Sequence, residues 1–72
     1  MKVNYYPETD LLYIDLTEQP SVESTEISEG VVLDYDAAGR LTGIDSDNAS
    51  TKVELNRLVL SRLPGEVESD AA

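Results

Sequence analysis

Val31-Val32-Leu33-Asp34-Tyr35-Asp36-Ala37-Ala38-Gly39-Arg40-Leu41-Thr42-Gly43-Ile44-Asp45-Ser46 is the stretch that decides the fold. Its first five residues place Val31, Leu33 and Tyr35 on one side of an extended chain. Asp36-Ala37-Ala38-Gly39 then reads as a hairpin loop, with Gly39 supplying a left-handed position at no steric cost. Arg40 to Ser46 is extended again. The unit is strand, tight turn, strand, and the period of two excludes a helix across it.

The same pattern continues toward the N-terminus. Lys2 to Tyr6 reads as a strand, Pro7-Glu8-Thr9-Asp10 as a turn, and Leu11 to Leu16 as a second strand. Leu12, Ile14 and Leu16 share one face, and Tyr13 and Asp15 share the other. These two strands form a hairpin. Glu18-Gln19-Pro20 breaks the chain, and Ser21 to Ile27 is a polar strand of the kind found at sheet edges, where charge discourages further pairing. Ser28-Glu29-Gly30 turns it into the deciding unit.

Toward the C-terminus the pattern weakens. The apolar residues Val53, Leu55, Leu58, Val59, Leu60 and Leu63 scatter around a helical wheel. A mixed reading is expected: short extended pieces with a helical turn near Asn56. The fold class is mainly β, with a β-rich α+β fold as the variant. It is an antiparallel meander of about five short strands, with a short C-terminal helical turn or an extra strand. Residues 1–64 form one small domain, and residues 65–72 form a disordered acidic tail. The C-terminal segment is expected to cover part of one sheet face.

Fifteen acids oppose five bases, a formal net charge of −10. Such a field repels nucleic-acid phosphates and anionic membranes and attracts basic proteins. Eleven acids and the single base Arg40 lie between Glu8 and Asp47, whereas Lys52, Arg57 and Arg62 make the following segment locally basic. There is no Cys and no His. Disulfides, thiolate zinc sites and His-based nucleophile systems are therefore excluded. A Ser–Lys dyad through Lys2 or Lys52 is formally open, but no motif surrounds either lysine. A domain this small lacks these devices for stability, which makes a homodimer the expected state. No apolar leader and no membrane-length run is present, so a cytoplasmic protein is expected, in which the Asn48-Ala49-Ser50 sequon carries no glycan.

Two acidic patterns are candidates for metal chemistry. Counting from Asp34, a calcium-loop frame would use Asp36, Gly39 and Asp45 at its third, sixth and twelfth positions. Ala38 at the fifth, a short Asp at the twelfth and strand-like flanks oppose it, and a plain hairpin explains the same residues. Asp45 and Asp47 share a side of a strand, as paired acids require. Asp34, Asp36, Asp45 and Asp47 are thus the candidate metal or acid/base residues, against a solvated-surface reading of the same positions. No catalytic residue and no cofactor is expected. The four tyrosines, Tyr5, Tyr6, Tyr13 and Tyr35, fall on both faces, and without bases beside them a dimer contact suits them better than a nucleic-acid stacking platform.

Tyr5 through Leu16, with Asp10-Leu11-Leu12-Tyr13-Ile14, and Gly30 through Ile44, with Leu33-Asp34-Tyr35-Asp36, Gly39 and Gly43-Ile44, resemble a small prokaryotic family catalogued as domain of unknown function 2283. Asn48-Ala49-Ser50 resembles that family's closing Asp-Ala-Ser. Ser46 stands where the family carries an apolar residue, which implies an earlier strand end or a wetter face. The resemblance implies a β-rich fold, no established activity and an antitoxin-like partner role. Two functions follow as expectations. The first is a non-enzymatic, acidic protein-interaction module that binds a basic partner. The alternative is a small metal-binding protein or enzyme using the clustered aspartates.

Overall fold

Each alternating segment of the sequence is hydrogen-bonded as a strand in the computed structural model, which describes residues 1–65 and residue 68. The strands are β1 (Lys2–Tyr6), β2 (Leu11–Asp15), β3 (Glu23–Ser28), β4 (Val31–Tyr35) and β5 (Leu41–Ser46), followed by a 3-10 turn at Ala49–Thr51. All pairings are antiparallel, in one five-stranded sheet with the order β1-β2-β5-β4-β3. The expected mainly β fold is therefore present. The polar strand β3 lies at an edge, and Ile27 is the extra residue where its register with β4 shifts. Such a bulge blunts an edge against further pairing.

Three connections are hairpins, and the fourth is not. From β2 to β3 the chain crosses over the ends of β5 and β4, so that β2 and the β3–β4–β5 meander together trace a Greek key. The crossing is pinned at both ends. Leu16 N–H donates to Thr42 O at 2.8 Å, and Val22 N–H donates to Tyr35 O at 2.8 Å. Three strand spacings are about 14 Å. Six Cα steps from Leu16 to Val22 reach about 20 Å when extended. The link is long enough to cross with a turn in it, which Glu18-Gln19-Pro20 supplies.

Register divides the residues into two faces, because directly opposed residues point the same way. One face carries the rows Val3–Ile14–Ile44–Leu33–Thr25 and Tyr5–Leu12–Ser46–Val31–Ser28. It is apolar across its centre. The other carries Lys2–Asp15–Gly43–Asp34–Ser24 and Asn4–Tyr13–Asp45–Val32–Glu26. It is acidic. Ser46 remains the last residue of β5 and is buried between Leu12 and Val31, so the strand does not end early.

Neither face has a covering layer among the described residues. No large side chain there is fully buried, and the buried hydrophobic core is Ala49 alone. The accessible surface is 6009 Å² for 7.9 kDa. A compact monomer of that mass exposes about 4,400 Å². The C-terminal segment differs from expectation here. Its helical turn falls at Ala49–Thr51 rather than near Asn56, no sixth strand forms among the described residues, and Val53, Leu55, Leu58, Val59, Leu60 and Leu63 all stand exposed. A scattered apolar pattern gives neither a helix stripe nor a strand face, so no regular element forms there. Within the expected tail of residues 65–72, only Gly65 and Glu68 are among the described residues, and the rest of that expectation lies outside them. No helix among the described residues is long and apolar enough to cross a membrane.

Candidate functional site

The acidic face is built around a missing side chain. Gly43 lies in the middle of β5, between Asp15 of β2 and Asp34 of β4. Tyr13, one position along β2 from the residue opposite Ser46, folds its ring over that space. A Cβ on Gly43 would stand 2.8 Å from the Tyr13 hydroxyl oxygen and 3.2 Å from Cζ. Aromatic cover of a strand glycine protects the ladder beneath it from water. It also brings the phenol to three carboxylates of this face. Burial, then Asp34, Asp45 and Asp15, push the Tyr13 hydroxyl pKa upward.

Two of these acids act as a pair. Asp34 is 6% exposed, and Ser24 Oγ donates to its Oδ1 at 2.6 Å. Asp45 sits diagonally across β4–β5 from it. The pKa of Asp45 is pushed up to about 6, first by burial, then by the charge of Asp34, a hydrogen bond with Asp34 and the charge of Asp47. Every group acting on it is an acid. Asp45 therefore keeps its proton to a higher pH than an ordinary aspartate, since adjacent like charges resist double ionisation.

The structure separates the four aspartates singled out in the sequence. Asp34 and Asp45 meet, and Asp47, in the turn after β5, reaches Asp45 through its charge. Asp36 does not join them. Its Oδ1 accepts from the N–H groups of Ala38 and Arg40, both at 2.9 Å, and so holds the β4–β5 hairpin. Gly39 takes its left-handed position there, at φ 80°. The calcium-loop frame is thus a hairpin. No three acids among the described residues are placed to hold a metal ion. Sequence reasoning missed Tyr13 and Asp15 as neighbours of the pair. The available signal was the glycine at position 43 within an otherwise side-chain-bearing strand.

A second constellation was also missed. Asp10 has φ 55°, in the left-handed region where Asp is one of the few tolerated residues. Its carboxylate accepts from Tyr5 Oη at 2.8 Å, Ser50 Oγ at 2.7 Å and Ser50 N–H at 3.1 Å. Its carbonyl accepts from Ala49 N–H at 2.9 Å. The β1–β2 turn is thereby fastened to the 3-10 turn, and Asn48-Ala49-Ser50 acquires a structural purpose. The hydrogen bond from Ser50, then that from Tyr5, holds the Asp10 pKa below the ordinary value. A lowered acid pKa stabilises the fold above the unfolded value of 3.8, and that contribution is lost as pH falls through the folded value. Asp10→Ala and Ser50→Ala should each lower the melting temperature by several degrees at pH 7. The deficit should shrink toward pH 3. An equal deficit at both pH values would show that the carboxylate is not what fastens the turn.

Two shallow depressions flank these features. One of about 400 Å³ adjoins Tyr6, Pro7 and Leu11, and one of about 760 Å³ lies between Glu26, Glu29, Asp47 and Lys52. Neither includes the Asp34–Asp45 pair. A family model described as "Protein of unknown function (DUF2283)" matches residues 2–50. The match ends at the residue that closes on Asp10. No curated protein and no solved structure matches the chain.

Proposed function

This chain belongs to the DUF2283 family of proteins of unknown function, and from that premise we propose that it is an acidic, non-catalytic protein-interaction module that engages a basic partner protein. The observation that carries the reading is the acidic face. Asp15, Asp34 and Asp45 crowd around Gly43, and the groups that raise Asp45 are all acids. A lysine or arginine from a partner would relieve that crowding, and the field of the chain would steer its approach. A role of the antitoxin type, neutralising a basic protein in the cytoplasm, is the form of partnership this charge suits. Nucleic acid is disfavoured by the same field.

The test uses a ten-residue arginine-rich peptide and a single-stranded oligonucleotide as probes. The peptide should bind at low salt, weaken as salt rises, and lower the Asp45 pKa, read from its carboxyl chemical shift. Glu26→Lys, an exposed change on the same face, should weaken that binding about tenfold, because it reverses one charge at the rim. The oligonucleotide should not bind. Peptide binding that leaves the Asp45 titration unmoved would place the contact elsewhere and overturn the assignment of this face. The metal reading has its own outcome. A large rise in melting temperature at low calcium, magnesium or manganese would mean that the native state binds the ion, and would replace the interaction reading.

A further inference from the structure

We propose that residues 52–63 form an arm that lies across the apolar sheet face of a second copy of this chain, the two copies exchanging arms. This concerns the face opposite the acidic one, and it stands apart from the reading of that face.

Area is the first argument. The chain exposes 6009 Å², against about 4,400 Å² for a compact monomer of its mass. The excess, roughly 1,600 Å², is about twice what a standard interface takes from each partner. Two apolar surfaces contribute to it. One is the sheet face, where Val3 and Tyr5 are exposed and Leu12, Ile14, Val31, Leu33 and Ile44 are only partly covered. The other is the arm, where Leu58 is 65% and Val59 62% exposed. A second copy can cover both apolar surfaces at once, the arm of each chain lying on the sheet face of the other.

Length is the second argument. The arm is rooted at the end of the sheet, where Val53 N–H donates to Ala49 O at 2.9 Å and Lys52 Nζ donates to Asp47 O. Twelve residues reach about 40 Å when extended. Five strands are about 24 Å wide. The arm can therefore cross a whole sheet face.

Charge is the third argument, and the net charges favour an arm over a second sheet as the cover of that face. Residues 1–51 carry eleven acids against Lys2 and Arg40, a net −9. Residues 52–63 carry three bases against Glu54, a net +2. Two sheets placed face to face bring like charge together. An arm on a sheet brings opposite charge together and covers the same apolar rows.

The chain has no cysteine, so single cysteines report contacts cleanly. Leu58→Cys and Leu33→Cys chains are mixed at micromolar concentration and oxidised. The expected product is a disulfide between the two different chains. Leu58→Asp, at a residue whose exposure leaves the monomer undisturbed, should weaken self-association at least tenfold by sedimentation. Three results would overturn the proposal. The first is a double variant that links only within one chain, which closes the arm on its own sheet. The second is a dimer unaffected by Leu58→Asp in which Leu33→Cys links to itself, which is face-to-face packing. The third is a full-length chain that stays monomeric at high concentration. None of the three bears on peptide binding at the acidic face, so the two readings fail separately.

Discussion

Gly43→Val should destabilise the protein by about 1–3 kcal/mol, the usual cost of forcing extra methylenes into a filled site. Valine is a good strand residue, and its propensity returns at most about 1 kcal/mol. The clash wins for a geometric reason. A Cβ at this position meets the Tyr13 hydroxyl at 2.8 Å, Tyr13 Cζ at 3.2 Å and Ile14 O at 3.2 Å. The ring can swing away, but Ile14 O belongs to the backbone of β2, and shifting it disturbs the β2–β5 ladder that joins the two halves of the sheet. Stability on the order of 5–10 kcal/mol makes this a large fraction of the whole. The check is a double-mutant cycle by urea unfolding with Tyr13→Ser. The paired variant should lose less than the two single losses added, since removing the ring removes most of the clash. Strict additivity would show that Tyr13 does not occupy the space over Gly43. Gly39→Ala provides contrast. Nothing lies within 4 Å of its Cβ, so only the left-handed backbone opposes it.

Raising the pH from about 4 to about 6 should weaken the fold through Asp45, against the behaviour of most carboxylates. The folded pKa, about 6, lies above the unfolded value of 3.8. Between these values the folded chain binds the proton that the unfolded chain has lost. The stabilisation is complete below 3.8 and gone above 6. Solvent screening at a partly exposed group reduces its size to about 1 kcal/mol. Asp45→Asn holds the neutral form at every pH. It should therefore be more stable than the parent by that amount at pH 8 and indistinguishable from it near pH 3.5. Urea midpoints across this range, at fixed protein concentration, give the answer. A gain independent of pH would mean that the substitution acts through packing and that Asp45 is not crowded by Asp34 and Asp47. Asp10 contributes with the opposite slope, so the parent's own profile is the sum of the two, and the variant difference isolates Asp45.

The sequence by itself determined the strands, their turns and their two-sidedness. Period-two alternation from Lys2 to Ser46 assigns each residue to a face, and Pro7, Pro20 and Gly39 mark where extension must stop. Polar β3 announced itself as an edge, and the excess of acids before Asp47 was plain from counting. Only the tertiary structure decided which strands are neighbours. Alternation is the same whether β2 pairs with β3 or with β5, and a seven-residue link reaches either place. Once β5 takes the position beside β2, Tyr13 lies over Gly43, Asp15 and Asp34 flank it, and Asp45 comes within reach of Asp34. The same choice brings Ser50 to Asp10, forty residues away in the chain. Local periodicity records which way a side chain points. It carries no information about the residue opposite, because that is set by the free energy of the assembled sheet, in which hydrogen bonds and side-chain contacts between distant segments are made together.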